Sequence, residues 1–184
     1  MNFQFIISCL YFFLPAYFVN MTPPLSKKAG ILNFLDKPID AGKTFLGKPL
    51  LGSHKTWRGL VMGILVGFLV VLLQSYFFNY HFFQKISLVN YQKINIFLFG
   101  FLISAGAVFG DLTFAFLKRR LNLVPGAKFL PFDQINYVIG AAIFLTPFFK
   151  INISVWLTLL IATFFLHIIV NRLGYALNLH QAKW

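Results

Sequence analysis

The chain has 184 residues, of which 59% are hydrophobic and 11% charged, with a formal net charge of +12 and a mean hydropathy of +0.77. A soluble domain is nearer half apolar and a quarter charged. The composition therefore excludes an ordinary soluble domain and predicts an all-α, polytopic membrane protein whose core is helix packing in lipid. The basic residues cluster at the ends of apolar runs, so topology rather than nucleic-acid binding accounts for most of them. The length suits a single domain over 1–184.

Five apolar runs are long enough to matter, roughly 3–19, 60–78, 94–117, 135–149 and 151–170. A helix needs about 20 residues to cross the hydrocarbon. The first run has no positive leader and no small-residue cleavage site, so it reads as a retained span and not a signal peptide. It holds Cys9, the one cysteine, which supports neither a disulfide nor a metal pattern.

The segment before the second run carries Lys37-Pro38-Ile39-Asp40 and then Gly52-Ser53-His54-Lys55-Thr56-Trp57-Arg58-Gly59. Glycines let backbone approach a phosphate, and a helix N-terminus favours anions. Lys55 offers a point charge and Arg58 a bidentate one. The Gly-x4-Gly-Lys-Ser/Thr spacing of a P-loop is absent. Trp57 alone reads as an interfacial anchor and His54 as an ordinary loop residue.

Gly59, Gly63 and Gly67 recur every four residues at the start of the second run, and Gly106 and Gly110 repeat the pattern in the third. Small residues on one face let helix backbones approach. The third run also holds Asp111, seven residues before Lys118-Arg119-Arg120, hence about 10 Å along a helix from that charged end. A carboxylate there needs a partner, which a metal ion or a basic side chain can supply. Asp133 heads the fourth run, where it suits either an N-cap or a metal site. The two acids can meet at one membrane face, and two carboxylates suit Mg2+ together with substrate phosphates. Lys118, Arg119, Arg120 and Lys128 would form a positive rim beside them. The fourth run is short, and Pro147 with Lys150-Ile151-Asn152 favours a break before the fifth; without that break the last two runs form one stretch and the chain has four spans. His81, His167 and His180 are scattered and suggest no metal site.

Five spans put 13 of the 16 Lys and Arg, and all four Asp, on one side. Only Lys85, Lys93 and Lys150 fall on the other. The positive-inside rule makes the rich side cytoplasmic, with the N-terminus outside and the C-terminus inside.

Two blocks of these residues resemble the CDP-archaeol synthase family, relatives of the phosphatidate cytidylyltransferases. The first is Leu14-Pro15-Ala16-Tyr17 with Asn20 and Pro23, then Pro38-Ile39-Asp40, then Gly52 to Gly59. The second is Gly110-Asp111, Phe116 to Leu121, Pro125-Gly126, and Asp133-Gln134-Ile135-Asn136 through Gly140-Ala141. The resemblance implies a Mg2+-dependent membrane nucleotidyltransferase that joins CTP to a lipid phosphate and releases pyrophosphate. It implies Asp111 and Asp133 as metal ligands and Lys118, Arg119 and Arg120 on phosphate. Asp40, Lys55, Thr56 and Arg58 would form the nucleotide pocket, with Asn20 at its edge. The chain departs from the family pattern at Gly47-Lys48-Pro49, at Ala115 and at Asn136, where an acid is expected. CTP, a lipid phosphate and the bilayer are the partners implied; nucleic acid is not, and a homo-oligomer is left open. The rival readings are a small transporter or proton relay titrating at Asp111, and a non-catalytic assembly protein.

Overall fold

The computed structural model describes residues 2–124 and 127–176. Pro125-Gly126 of the second block, His180 and the end of the C-terminal tail lie outside the described residues. Six α-helices occur among them: α1 Phe3–Lys28, α2 Trp57–Phe77, α3 His81–Ile86, α4 Ile96–Arg120, α5 Phe132–Leu145 and α6 Ile153–Ala176. Four of these, α1, α2, α4 and α6, are long and apolar enough to cross a membrane, and α5 is an apolar helix of 14 residues. The exposed side chains say why lipid is needed. Leu65, Leu69 and Leu73 form an exposed ridge on α2, and Leu157, Ile161, Phe165 and Ile169 form another on α6. Apolar ridges of that length would drive aggregation in water.

The helix ends follow local chemistry. Thr56 caps α2, its hydroxyl accepting from Gly59 N at 3.3 Å. Asn95 caps α4 by accepting from Leu98 N at 3.0 Å. Helix α1 runs nine residues past the expected end at 19, despite Pro23 and Pro24. The hydroxyls of Thr22 and Ser26 donate back to Phe18 O and Pro23 O, at 2.6 and 3.1 Å, and bridge the stretch that the prolines weaken. The break after α5 falls at residues 146–152, as Pro147 and Lys150 foretell.

The glycine rows do the packing expected of them. A Cβ on Gly63 would press on Val19, and one on Gly67 would overlap Val19 and Ser104, so α1, α2 and α4 close on that row. Between α4 and α5 the fit is tighter. A Cβ on Gly140 would collide with Gly106 O and sit 2.6 Å from Gly110 Cα. Here backbone lies on backbone, and nothing can move aside. The core above this contact is aromatic: Phe13 stacks on Tyr137 at 5.9 Å, and Phe12 meets Phe99 and Trp156 at 5.8 and 6.0 Å.

The segment between α1 and α2 is a folded cap. A two-stranded antiparallel hairpin, β1 Thr44–Phe45 with β2 Lys48–Pro49, turns at Leu46-Gly47, both at positive φ. Ile39 N donates to Lys55 O and Trp57 N to Lys37 O, which fastens residues 37–39 beside the start of α2.

Candidate functional site

One end of the bundle gathers the ends of α4 and α6, the start of α5 and the two loops at 51–55 and 127–130. Together they enclose a cavity of about 360 Å3. That volume lies in the usual range for small-molecule sites, roughly 300–1,000 Å3. Its charged lining is Lys55, Asp111, Lys118, Arg119, Lys128 and Asp133. The four basic groups outnumber the two acids, so the cavity is built for an anion.

Helix α4 presents Asp111, Ala115, Lys118 and Arg119 on one face, because positions three and four apart align. Lys55 reaches Asp111 from the loop, its Nζ donating to Oδ1 at 2.7 Å and to Oδ2 at 2.6 Å. Lys118 does the same to Asp133, at 2.9 Å to each carboxylate oxygen, and also donates to Ala127 O at 2.5 Å. Asp133 accepts a further bond from Phe129 N at 2.9 Å. It is not the N-cap of α5. Pro131 holds that position and Asp133 sits in the first turn, where its charge still favours the helix dipole.

Three buried polar groups at the cavity lack protein partners. Arg119 is 5% exposed with Nε and Nη1 unbonded, and the amide oxygens of Gln134 and Asn136 accept nothing. An orphaned buried donor or acceptor costs about 1–3 kcal/mol, so such groups point to a ligand. Among the described residues no group of three His, Cys, Asp or Glu could hold a metal. By donor chemistry, the Asp111 and Asp133 carboxylates and the unbonded amide oxygens of Asn136 and Gln134 are the hard oxygen ligands that a divalent cation takes.

A second cavity of about 170 Å3 lies between α1, α2 and α4, lined by Asn20, Thr56 and Leu112 among others. His54, Lys55 and Asp111 line both cavities, so the Lys55–Asp111 pair stands between them. The expected nucleotide set is thus divided. Asn20, Lys55 and Thr56 reach a cavity, with Thr56 also acting as a cap. Asp40 and Arg58 line neither. Arg58 is 2% exposed, paired to Asp36 at 2.9 Å and bonded to Asn33 Oδ1 at 2.9 Å. Asp40 knits the cap by accepting from Gly42, Leu51 and Gly52 N–H groups at 3.0, 2.9 and 3.1 Å. Burial works to raise its carboxyl pKa, but these backbone bonds outweigh burial and hold it below the usual carboxylate value.

Arg120, also expected on phosphate, is not among the residues that line the cavity. Its guanidinium donates to Phe45 O, Lys48 O and Pro49 O of the hairpin and stacks over Phe45 and Phe116. One residue along a helix is a turn of about 100°, so Arg119 and Arg120 leave α4 in different directions. His54, Gln134 and His167 also line the cavity, although the sequence assigns none of them a role in the site. The signal for His167 was faint: with the buried Thr163 four residues earlier, it marks the inward face of α6.

The chain matches the family model "CarS-like: CDP-archaeol synthase" over residues 2–184. It is 31% identical to the CDP-archaeol synthase of Methanococcus aeolicus, the match covering 97% of each chain. It is 34% identical to that of Pyrococcus furiosus, over 97% of this chain and 98% of the relative. A solved structure of an intramembrane enzyme for archaeal membrane lipid biosynthesis superimposes with a TM-score of 0.70 and 25% identity, covering 88% of this chain and 91% of that one. An integral membrane protein of this architecture, matched along nearly its whole length, belongs to the CDP-archaeol synthase family.

Proposed function

We propose that the chain transfers CMP from CTP to the phosphate of a membrane lipid, giving a CDP-activated lipid and pyrophosphate. The observation that carries this reading is the basic cavity at the end of the bundle, where two carboxylates and an orphaned arginine converge on space sized for a small molecule. Family membership favours it over the transport and assembly readings.

The reaction joins two anions, so repulsion is the main barrier. A lipid-phosphate oxygen attacks the α-phosphorus of CTP, the new P–O bond forms, and the α–β bridging bond breaks with its electron pair leaving on pyrophosphate. A phosphate monoester with a second pKa near 6 is already a nucleophile at neutral pH, so no Ser–His pair is needed. Arg119, buried and unbonded, supplies guanidinium donors to a phosphate without reorganisation. Lys55, Lys118 and Lys128 surround the same volume and offset the remaining charge. Asp111, Asp133 and Asn136 would hold Mg2+, which supplies charge neutralisation between the two phosphates. The cavity would face the cytoplasm, where CTP is found, and the lipid would arrive from the bilayer.

Purified protein in detergent, given CTP, Mg2+ and a lipid phosphate, should release pyrophosphate in proportion to CDP-lipid formed. A panel of ether and ester lipid phosphates names the substrate class. No release with either class overturns the reading.

A further inference from the structure

We propose that the two lysine–aspartate pairs are counter-ion latches that make the binding of a divalent cation and of a nucleoside triphosphate depend on each other. This rests on the proposed reaction. Each latch is closed in the same way. Lys55 Nζ covers both oxygens of Asp111, and Lys118 Nζ covers both oxygens of Asp133. The carboxylates that would hold the cation and the ammonium groups that would hold phosphate are therefore already satisfied by one another.

A cation arriving alone must displace an ammonium from a carboxylate it already grips. Lys118 is then left charged inside the cavity with 11% of its side chain exposed. Removing one partner of a sheltered ion pair is costly because the other keeps its charge. A triphosphate arriving alone meets the converse problem. Drawing Lys55 and Lys118 toward its oxygens uncovers two carboxylates facing the same anion. When both ligands arrive together the partners exchange: ammonium goes to phosphate and carboxylate to cation, and no charge is left uncompensated.

The charges fit the same exchange. A triphosphate with one divalent cation attached keeps roughly two negative charges near neutral pH. That is fewer than the bare triphosphate carries, so the complete pair meets less repulsion from Asp111 and Asp133. Asn136 contributes to the same balance, since a neutral amide oxygen there adds a ligand atom without a further negative charge.

The test uses binding, not turnover. Mn2+ binding by electron paramagnetic resonance, without nucleotide, should tighten about tenfold in Lys55→Met, the scale of an ordinary coupling. CTP binding in chelator should tighten about tenfold in Asp111→Asn, although that variant loses turnover. The second gain must vanish in the double variant Lys55→Met with Asp111→Asn, because it comes from freeing Lys55. A gain that persists in the double variant reflects general charge and overturns the latch. So does unchanged or weaker Mn2+ binding in Lys55→Met. Should Lys55→Met not fold, Lys118→Met and Asp133→Asn make the same pair of measurements. Wild-type pyrophosphate release separates the two ideas: turnover with unaltered affinities removes the latch alone, whereas absent turnover and absent CTP binding in every variant remove both.

Discussion

Arg119 and Arg120 are neighbours in sequence and differ in what they touch. Arg119 is buried against the cavity with two nitrogens unbonded, while Arg120 holds three hairpin carbonyls and lies over two phenylalanine rings. Alanine should therefore act differently at each. Arg119→Ala removes a preorganised phosphate donor and should lower kcat/KM for CTP roughly 10²-fold. Arg120→Ala should loosen the hairpin, seen as faster proteolysis between residues 43 and 50, with a smaller kinetic effect. Equal kinetic losses would return Arg120 to the phosphate site. Both arginines were legible in the sequence as a basic tract. Their separation was not, because it depends on which side of α4 the 29–56 segment folds against. Asp40 was placed in the nucleotide pocket by the family resemblance alone. In the structure it accepts three backbone bonds within the cap. Its folded pKa is depressed, so it contributes stability fully present above the ordinary carboxyl pKa of about 4 and lost as pH falls through the lower folded value. Asp40→Asn should loosen the cap at neutral pH and flatten the acid-dependent part of its proteolysis profile below about pH 4.

At the scale of elements, the α4–α5 contact matters most to the site. These two helices carry Asp111, Lys118, Arg119, Asp133, Gln134 and Asn136, and they meet where Gly106 and Gly110 face Gly140. The glycine spacing on α4 was legible, since small residues every four positions imply close approach. Its partner Gly140 was noticed only as part of a motif, because α5 shows a single glycine and no repeat. Gly140→Ala puts a methyl group into backbone that cannot yield, a clash of the overpacking kind worth about 1–3 kcal/mol. Prising the helices apart also moves Asp111 away from Asp133. The variant should melt at lower temperature in detergent and lose activity at temperatures where it remains folded. A lower melting point with unchanged kcat would mean that the contact supports the fold without setting the site's geometry. The same contact explains why the two acids could be paired from sequence: the third run ends and the fourth begins at one short loop. That a basic side chain could partner Asp111 was readable; which lysine reaches each acid was not. Lys55 comes from a segment 56 residues away whose folded path depends on the Pro38–Thr56 bridge and the Asp40 bonds.

For the whole molecule, the distribution of charge ties the site to a side of the membrane. The cavity, the hairpin cap and the α4–α5 loop lie at one end of the bundle. Among the residues at that end are Lys37, Lys43, Lys48, Lys55, Arg58, Lys118, Arg119, Arg120 and Lys128. The connection between α2 and α4, which includes α3, lies at the other end with Lys85 and Lys93, and Lys150 follows α5 there. By the positive-inside rule we propose that the cavity end faces the cytoplasm. A two-cysteine comparison checks this directly. The native Cys9 is fully buried in α1, so it should stay silent to a membrane-impermeant maleimide. Leu46→Cys places a thiol at the exposed hairpin tip, and Lys93→Cys places one in the exposed turn before α4. In intact cells Lys93→Cys should label and Leu46→Cys should not, and in inverted membrane vesicles the pattern should reverse. Labelling of Leu46→Cys in intact cells would put the cavity on the outer face, away from cytoplasmic CTP. That result would overturn the assigned orientation, and with it CTP as the nucleotide the cavity meets, even though family membership would stand.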